Sequence, residues 1–199
     1  MRWMLLFCAA LGCAPAWAAD AMQEIRQRVG TPESVRGQFE QKKNITALER
    51  PLLSQGDFLV ARNRGVVWRT LKPFPQVLKL TRREIVQEQS GKVRFQLSAE
   101  REPAVKAINQ VLFALFAGDF AALEQSFTSS GKVEGDHWRV VMQPTSNALA
   151  QLFKEIRLEG ANTVQRVELL EANGDRTEIR FKGMQVNSAL NADEVKLFD

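Results

Sequence analysis

Few residues in this 199-residue chain are equipped for covalent or acid–base chemistry. His137 is the single histidine, tyrosine is absent, and the two cysteines, Cys8 and Cys13, both lie in the first thirteen residues. His137 stands beside Trp138 at the start of an alternating stretch, where an exposed or hydrogen-bonded strand residue is the ordinary reading. Ser129-Ser130-Gly131-Lys132 satisfies S-x-x-K, the pattern of penicillin-recognising serine enzymes, but no helix opens there and the companion S-D-N and K-T-G elements are missing. The segment reads as a turn before a strand. No H-E-x-x-H, C-x-x-C or glycine-rich phosphate loop is present. The acidic pairs Glu100/Glu102 and Asp193/Glu194 fit solvated positions, and Asn44-Ile45-Thr46 is a sequon only in a host that glycosylates. Neither a catalytic centre nor a metal or organic cofactor is expected from this inventory.

Arg62, Arg64, Arg69, Arg82 and Arg83 gather on predicted neighbouring hairpins, as a solvated face or as a site for an anionic headgroup. The formal charge of +4 falls to about +3 without Arg2. That is too weak to argue for nucleic acid, and no segment interleaves basic and aromatic residues as single-strand binders do. Mild attraction to anionic membranes stays open.

The elements that would carry these residues begin after a leader. Met1-Arg2, an apolar run from Trp3 to Leu11 and Ala16-Trp17-Ala18 form the three parts of a secretory signal, with cleavage expected after Ala18. The run is far short of the ~20 residues a spanning helix requires. Lipidation at Cys13 is the competing reading. Residues 19–199 are expected to form one domain, held by apolar burial because no cysteine remains for a disulfide.

Met22, Ile25 and Val29 share one face of a short helix that ends at Gly30 and Pro32. The period then changes to two. Strands are expected around Val35, Gly37 and Phe39, at Asp57–Arg62 and at Val66–Leu71, the last two joined by Asn63-Arg64-Gly65. In Lys92–Ser98, Val93, Phe95 and Leu97 alternate with polar residues, which predicts one buried and one wet face. Trp138/Val140/Met142, Ile156/Leu158 and Thr177/Ile179/Phe181 repeat the pattern. Strands wet on one side belong to antiparallel sheets. Asn173-Gly174, between Val164–Leu170 and Arg176–Phe181, predicts a tight hairpin with both turn residues at positive φ.

Ala104–Gly118 breaks the pattern. Pro103 introduces it, Gly118 closes it, and no charge falls between Lys106 and Asp119. Val111, Leu112, Phe113, Leu115 and Phe116 cover almost the whole circumference, so such a helix must be buried on nearly every side. It is either plain core or the plug of a cavity inside the sheet's curve.

Gly56-Asp57, Val60, Arg62, Trp68 and Pro73 resemble the pattern of the periplasmic outer-membrane lipoprotein carrier (LolA-like) family. Val35 through Phe39 to Gln41-Lys42 is similar to its first strand, and the strands ending near Phe181 and the closing Val195–Phe198 also fit. The resemblance implies an α+β fold: a strongly curved antiparallel sheet, an incomplete barrel, enclosing an apolar cavity for acyl chains under a helical lid. The cavity and lid would use Phe58, Val60, Arg62, Trp68, Val111, Leu112, Leu115 and Phe116, with Arg62 hydrogen-bonding the lid's backbone. It implies a periplasmic monomer that carries lipoproteins or other lipid-like cargo towards the outer membrane. Inner-membrane donor and outer-membrane acceptor proteins would be its partners. An envelope lipid-sensing or scaffolding module with a protein partner, and an unrecognised hydrolase, are the alternatives.

Overall fold

The computed structural model describes residues 16–98, 101, 111, 113–115 and 117–198. Helix α1 spans Ala16–Val29 and stops where Gly30 takes a φ of +61°, a conformation that costs a residue without a Cβ little. Eleven strands follow: β1 Ser34–Asn44, β2 Leu52–Ala61, β3 Gly65–Lys72, β4 Gln76–Thr81, β5 Glu84–Gln89, β6 Lys92–Ser98, β7 Phe127–Glu134, β8 His137–Pro144, β9 Phe153–Gly160, β10 Val164–Glu171 and β11 Arg176–Val186. Three short helices also lie among the described residues: α2 Phe120–Leu123, α3 Asn147–Ala150 and α4 Ala192–Lys196.

All eleven strands form one antiparallel sheet in the order β6-β5-β4-β3-β2-β1-β11-β10-β9-β8-β7. Hairpins link every neighbouring pair except β1 and β11, so β1 joins two meanders. The sheet is an incomplete barrel with edges at β6 and β7, and the α+β fold expected from sequence is the one observed.

One face carries the core. Val35 and Phe39 of β1, Phe58 and Val60 of β2, Val66 and Trp68 of β3, and the inward residues of β8 and β9 belong to one buried cluster. Helix α1 lies on this face over β7. A Cβ on Gly131 would come within 2.6 Å of Met22 Sδ and 2.9 Å of Ile25 Cδ1, so the helix rests where a side chain is missing. The S-x-x-K residues 129–132 therefore lie inside β7 and not in a turn.

Two further expectations change. In β6, Val93 and Phe95 are 56% and 40% exposed, because an edge strand has no neighbour on one flank and a bulge in its pairing with β5 sets Val93 opposite Glu88, out of the inward row of Phe95. The β10–β11 connection keeps its hairpin but not its tight turn. Four residues, 172–175, form the loop, and only Gly174 of them has positive φ. Asp175 organises this loop, its Oδ1 accepting from the Thr46 backbone N–H at 2.9 Å and the Thr46 hydroxyl at 3.2 Å, and its Oδ2 from Asn173 Nδ2 at 3.0 Å. The Thr46 backbone N–H is the main reason that the Asp175 carboxyl is held below the ordinary carboxylate range.

Candidate functional site

The inner face of β1, β2, β3 and β11 is an aromatic wall. Residues two apart point to the same side of a strand, and the registers Phe39↔Gly56, Phe58↔Trp68 and Phe39↔Phe181 bring four rings together. Phe39 stacks on Trp68 with centroids 3.7 Å apart, Phe58 lies 5.0 Å from Phe181, and Trp68 meets Phe181 edge-on at 6.2 Å. Gly56 makes the stack possible. A side chain there would meet the Arg69 carbonyl and come within 2.9 Å of the Phe39 ring. Its neighbour Asp57 has the opposite parity and accepts from Arg69 Nε at 2.6 Å on the outer face. One dipeptide thus serves both sides of the sheet.

A helical stretch closes over this wall. Residues 111, 113–115 and 117 are helical, and Val111, Ala114, Leu115 and Ala117 are buried in the same cluster as Phe58 and Trp68. The stretch ends in a Schellman motif: the Asp119 N–H donates to the Ala114 carbonyl at 2.8 Å and the Gly118 N–H to that of Leu115 at 3.3 Å, with Gly118 at φ +66°. Asp119 then caps α2 by accepting from the Ala122 N–H at 3.1 Å. Beneath this end lies a void of about 20 Å³ bounded by Val35, Phe58, Ala117, Gly118, Phe181 and Met184. That is room for about one water and for no acyl chain. The inner face is filled by the protein's own helices.

Of the residues expected to form a cavity and lid, Phe58, Val60, Trp68, Val111 and Leu115 are brought together in this core. Leu112 and Phe116 lie outside the described residues, as do 104–110 of the expected lid helix. Arg62 is placed elsewhere. β2 ends at Ala61, and Arg62 opens the turn to β3, where its backbone N–H donates to the Glu33 carbonyl at 2.9 Å. Its guanidinium lies 3.6 Å from the Glu33 carboxylate and is one-third exposed. Of the lid carbonyls expected to be its acceptors, that of Leu115 takes the Gly118 N–H and that of Gly118 takes the Phe120 N–H. Met22, Ile25, Phe39, Phe120, Leu123 and Phe181 complete the inner surface. Alternation and helical spacing identified Met22, Ile25, Phe39 and Phe181 as sharing apolar faces, but only pairing across β1 shows that Phe39 and Phe181 share a wall with Trp68.

A larger cleft of about 650 Å³ lies on the outer side of the sheet beneath α4. Leu59 and Val67 form its floor, while Arg36, Asp57, Arg69 and Glu194 stand around it. Arg36 is fixed there by Glu194 Oε1 at 2.6 Å and by the Ala189 carbonyl at 2.9 Å. Towards the other end of β11 on the outer face, Arg180 and then Arg166 hold the Glu178 carboxyl below its ordinary range. Ion pairs in such a cleft suit polar contacts, whereas the inner face offers a dry surface of the kind acyl chains need.

The family model described as outer membrane lipoprotein carrier protein LolA-like matches residues 13–196. An outer-membrane lipoprotein carrier protein of Pseudomonas putida (strain GB-1) is 24% identical over 198 residues, covering 96% of this chain and 90% of that protein. Its counterpart from Dechloromonas aromatica (strain RCB) is 26% identical over 181 residues, covering 87% and 81%. Among solved structures, a LolA superfamily protein of Nitrosomonas europaea aligns with 10% identity and a TM-score of 0.49, over 89% of this chain and 96% of the other. The MucA/MucB complex of Pseudomonas aeruginosa aligns at 14% identity and a TM-score of 0.42, over 89% and 60%. The sequence match runs from before α1 to the last turn of α4, across both meanders and the helices that cover them, and the chain belongs to the LolA-like family of outer membrane lipoprotein carrier proteins.

Proposed function

We propose that this protein is an exported, periplasmic carrier that takes the acyl chains of lipoproteins or other lipid-like cargo onto the inner face of its sheet, as a monomer and without a catalytic step. It receives cargo from an inner-membrane donor and yields it to an outer-membrane acceptor. The leader 1–18 supplies the export signal, and residues 19–199 form the carrier domain. The observation that carries the reading is the burial of the helical residues Val111, Ala114, Leu115 and Ala117 in the cluster of the aromatic wall, with a void of about 20 Å³ at their end. Each methylene buried in such a surface is worth about 0.8 kcal/mol, so a diacylated anchor needs a protein host to cross water. A host already occupied by its own helix offsets part of that gain when the helix is displaced, which keeps release feasible.

The test uses protein purified from the periplasmic fraction, with its mass checked against residues 19–199. It is titrated with a fluorescent fatty acid or a diacylated peptide while amide exchange is followed across 111–117. Saturation near one cargo per protein, with faster exchange in that stretch, is the expected result. A folded protein that takes up no lipid, or takes it up with exchange unchanged there, overturns the reading.

A further inference from the structure

We propose that the end of the sheet built from turns 45–51 and 73–75 docks on the surface of an anionic phospholipid membrane. Exposed large hydrophobic residues are concentrated there: Leu48, Leu52, Leu53, Leu71 and Phe74 are all exposed, Phe74 at 72%. Five of the nine such residues in the described structure fall on two adjacent loops and their strand ends, so the patch is a local feature and not the scattered exposure of an ordinary surface. Gln55 pairs with Lys72, so residues 52–54 run past the end of β3, and Leu53, Lys72 and Pro73 border one groove.

The directions of these side chains favour lipid over a folded partner. Leu52 and Leu53 are consecutive strand residues and point to opposite faces of the sheet, yet both are exposed. A rigid partner covers one face of a sheet end. A fluid bilayer surrounds it. The charges agree, because Lys42, Arg50 and Lys72 are exposed with no carboxylate at ion-pair distance among the described residues. At the same end Lys43, opposite Leu52, is paired with Glu171, and further up the sheet Lys79 and Lys182 are paired with Glu88 and Glu40. Cations left free beside exposed leucines and a phenylalanine match the interfacial layer, where phosphates lie above apolar chains. This surface extends the carrier reading without using its inner face.

The test is flotation of cargo-free protein with vesicles of phosphatidylethanolamine and phosphatidylglycerol, and with vesicles of phosphatidylcholine alone. Binding to the anionic vesicles that weakens with added salt is expected. Leu53→Ser/Phe74→Ser should lower the partition coefficient by about ten-fold or more. Arg50→Glu/Lys72→Glu, at positions too exposed to affect folding, should lower it by about ten-fold. Uptake of the fluorescent fatty acid in water should be unchanged in both variants, which separates failure of the rim from failure of the carrier reading. Absence of binding at low salt overturns the proposal, as does wild-type binding by both variants. So does a concentration-dependent dimer that Leu53→Ser/Phe74→Ser abolishes, because a second copy would then be the occupant.

Discussion

The two meanders that meet at β1 both carry alternating strands and pack very differently. On the inner side of β8 and β9, Trp138, Val140, Met142, Ile156 and Leu158 are at most 1% exposed, with Phe120 set edge-on against Trp138 at 5.5 Å. On the inner side of the other meander, Leu78 of β4 is only partly buried and Phe95 of β6 is exposed. Alternation fixes which residues share a face. It does not say whether another element lies over that face. The β7–β10 side is a close-packed wall that resists added volume, so room for cargo is to be expected from displacement of residues 111–117 towards the β4–β6 side.

Removing one inward side chain from each meander tests this contrast most strongly. Leu158→Ala, which leaves a hole in the packed wall, should lower unfolding free energy by about 2–5 kcal/mol in denaturant titration. Phe95→Ala should cost less than about 1 kcal/mol while weakening lipid uptake. Equal destabilisation by the two would mean that both sides are core in the same sense.

A smaller effect is expected where the packed meander is tied to β1 through Asp175 and Thr46. A carboxyl whose pKa falls on folding contributes stability above its unfolded pKa and loses that contribution as pH drops through the folded value. Asp175 should therefore stabilise the protein at neutral pH and cease to do so progressively below about pH 4. Asp175→Asn should lower Tm at pH 7 and leave it nearly unchanged at the acid end. A Tm difference that persists undiminished below the carboxylate range would assign the loss to loop geometry and not to charge.

The smallest effect belongs to Arg62. An ion pair at 3.6 Å with a largely exposed Glu33 is worth about 0–1 kcal/mol. Arg62→Leu should shift stability by about 0.5 kcal/mol or less and leave amide exchange across 111–117 as in wild type. Faster exchange there would restore Arg62 as a latch on the lid and blur the distinction between fixed wall and movable cover.

The strands were legible wherever alternation met a covered face, as in β8, β9 and β11, and the Schellman end of the lid was legible in Gly118-Asp119. β4 and β5 were not read, because the alternation of β4 is short and its residues are mostly half-buried on both faces, while in β5 the consecutive residues Ile85 and Val86 are both buried. The inner wall was read half correctly. Phe58 and Trp68 announce themselves in one hairpin, whereas Phe39 and Phe181 become partners only through the β1–β11 pairing, which no local spacing encodes. Arg62 was expected on the face of Phe58 and Val60, and it opens the turn instead. Counting by twos from Val60 assumes that the strand continues, and it ends at Ala61.

The position of β1 between β2 and β11 also has a consequence for how the protein matures. Val35 pairs with Val60 through a short connection but with Val186 across most of the chain. The first strand to emerge after α1 can dock at once on one side, while its other edge stays open until the last strand has been made. Until then its backbone donors and acceptors face water or a stray strand, and the loop to be closed is almost the whole domain. Folding on this plan is expected to be slow and open to mispairing late, so that assembly, more than final stability, is where a chain of this kind is most exposed to loss.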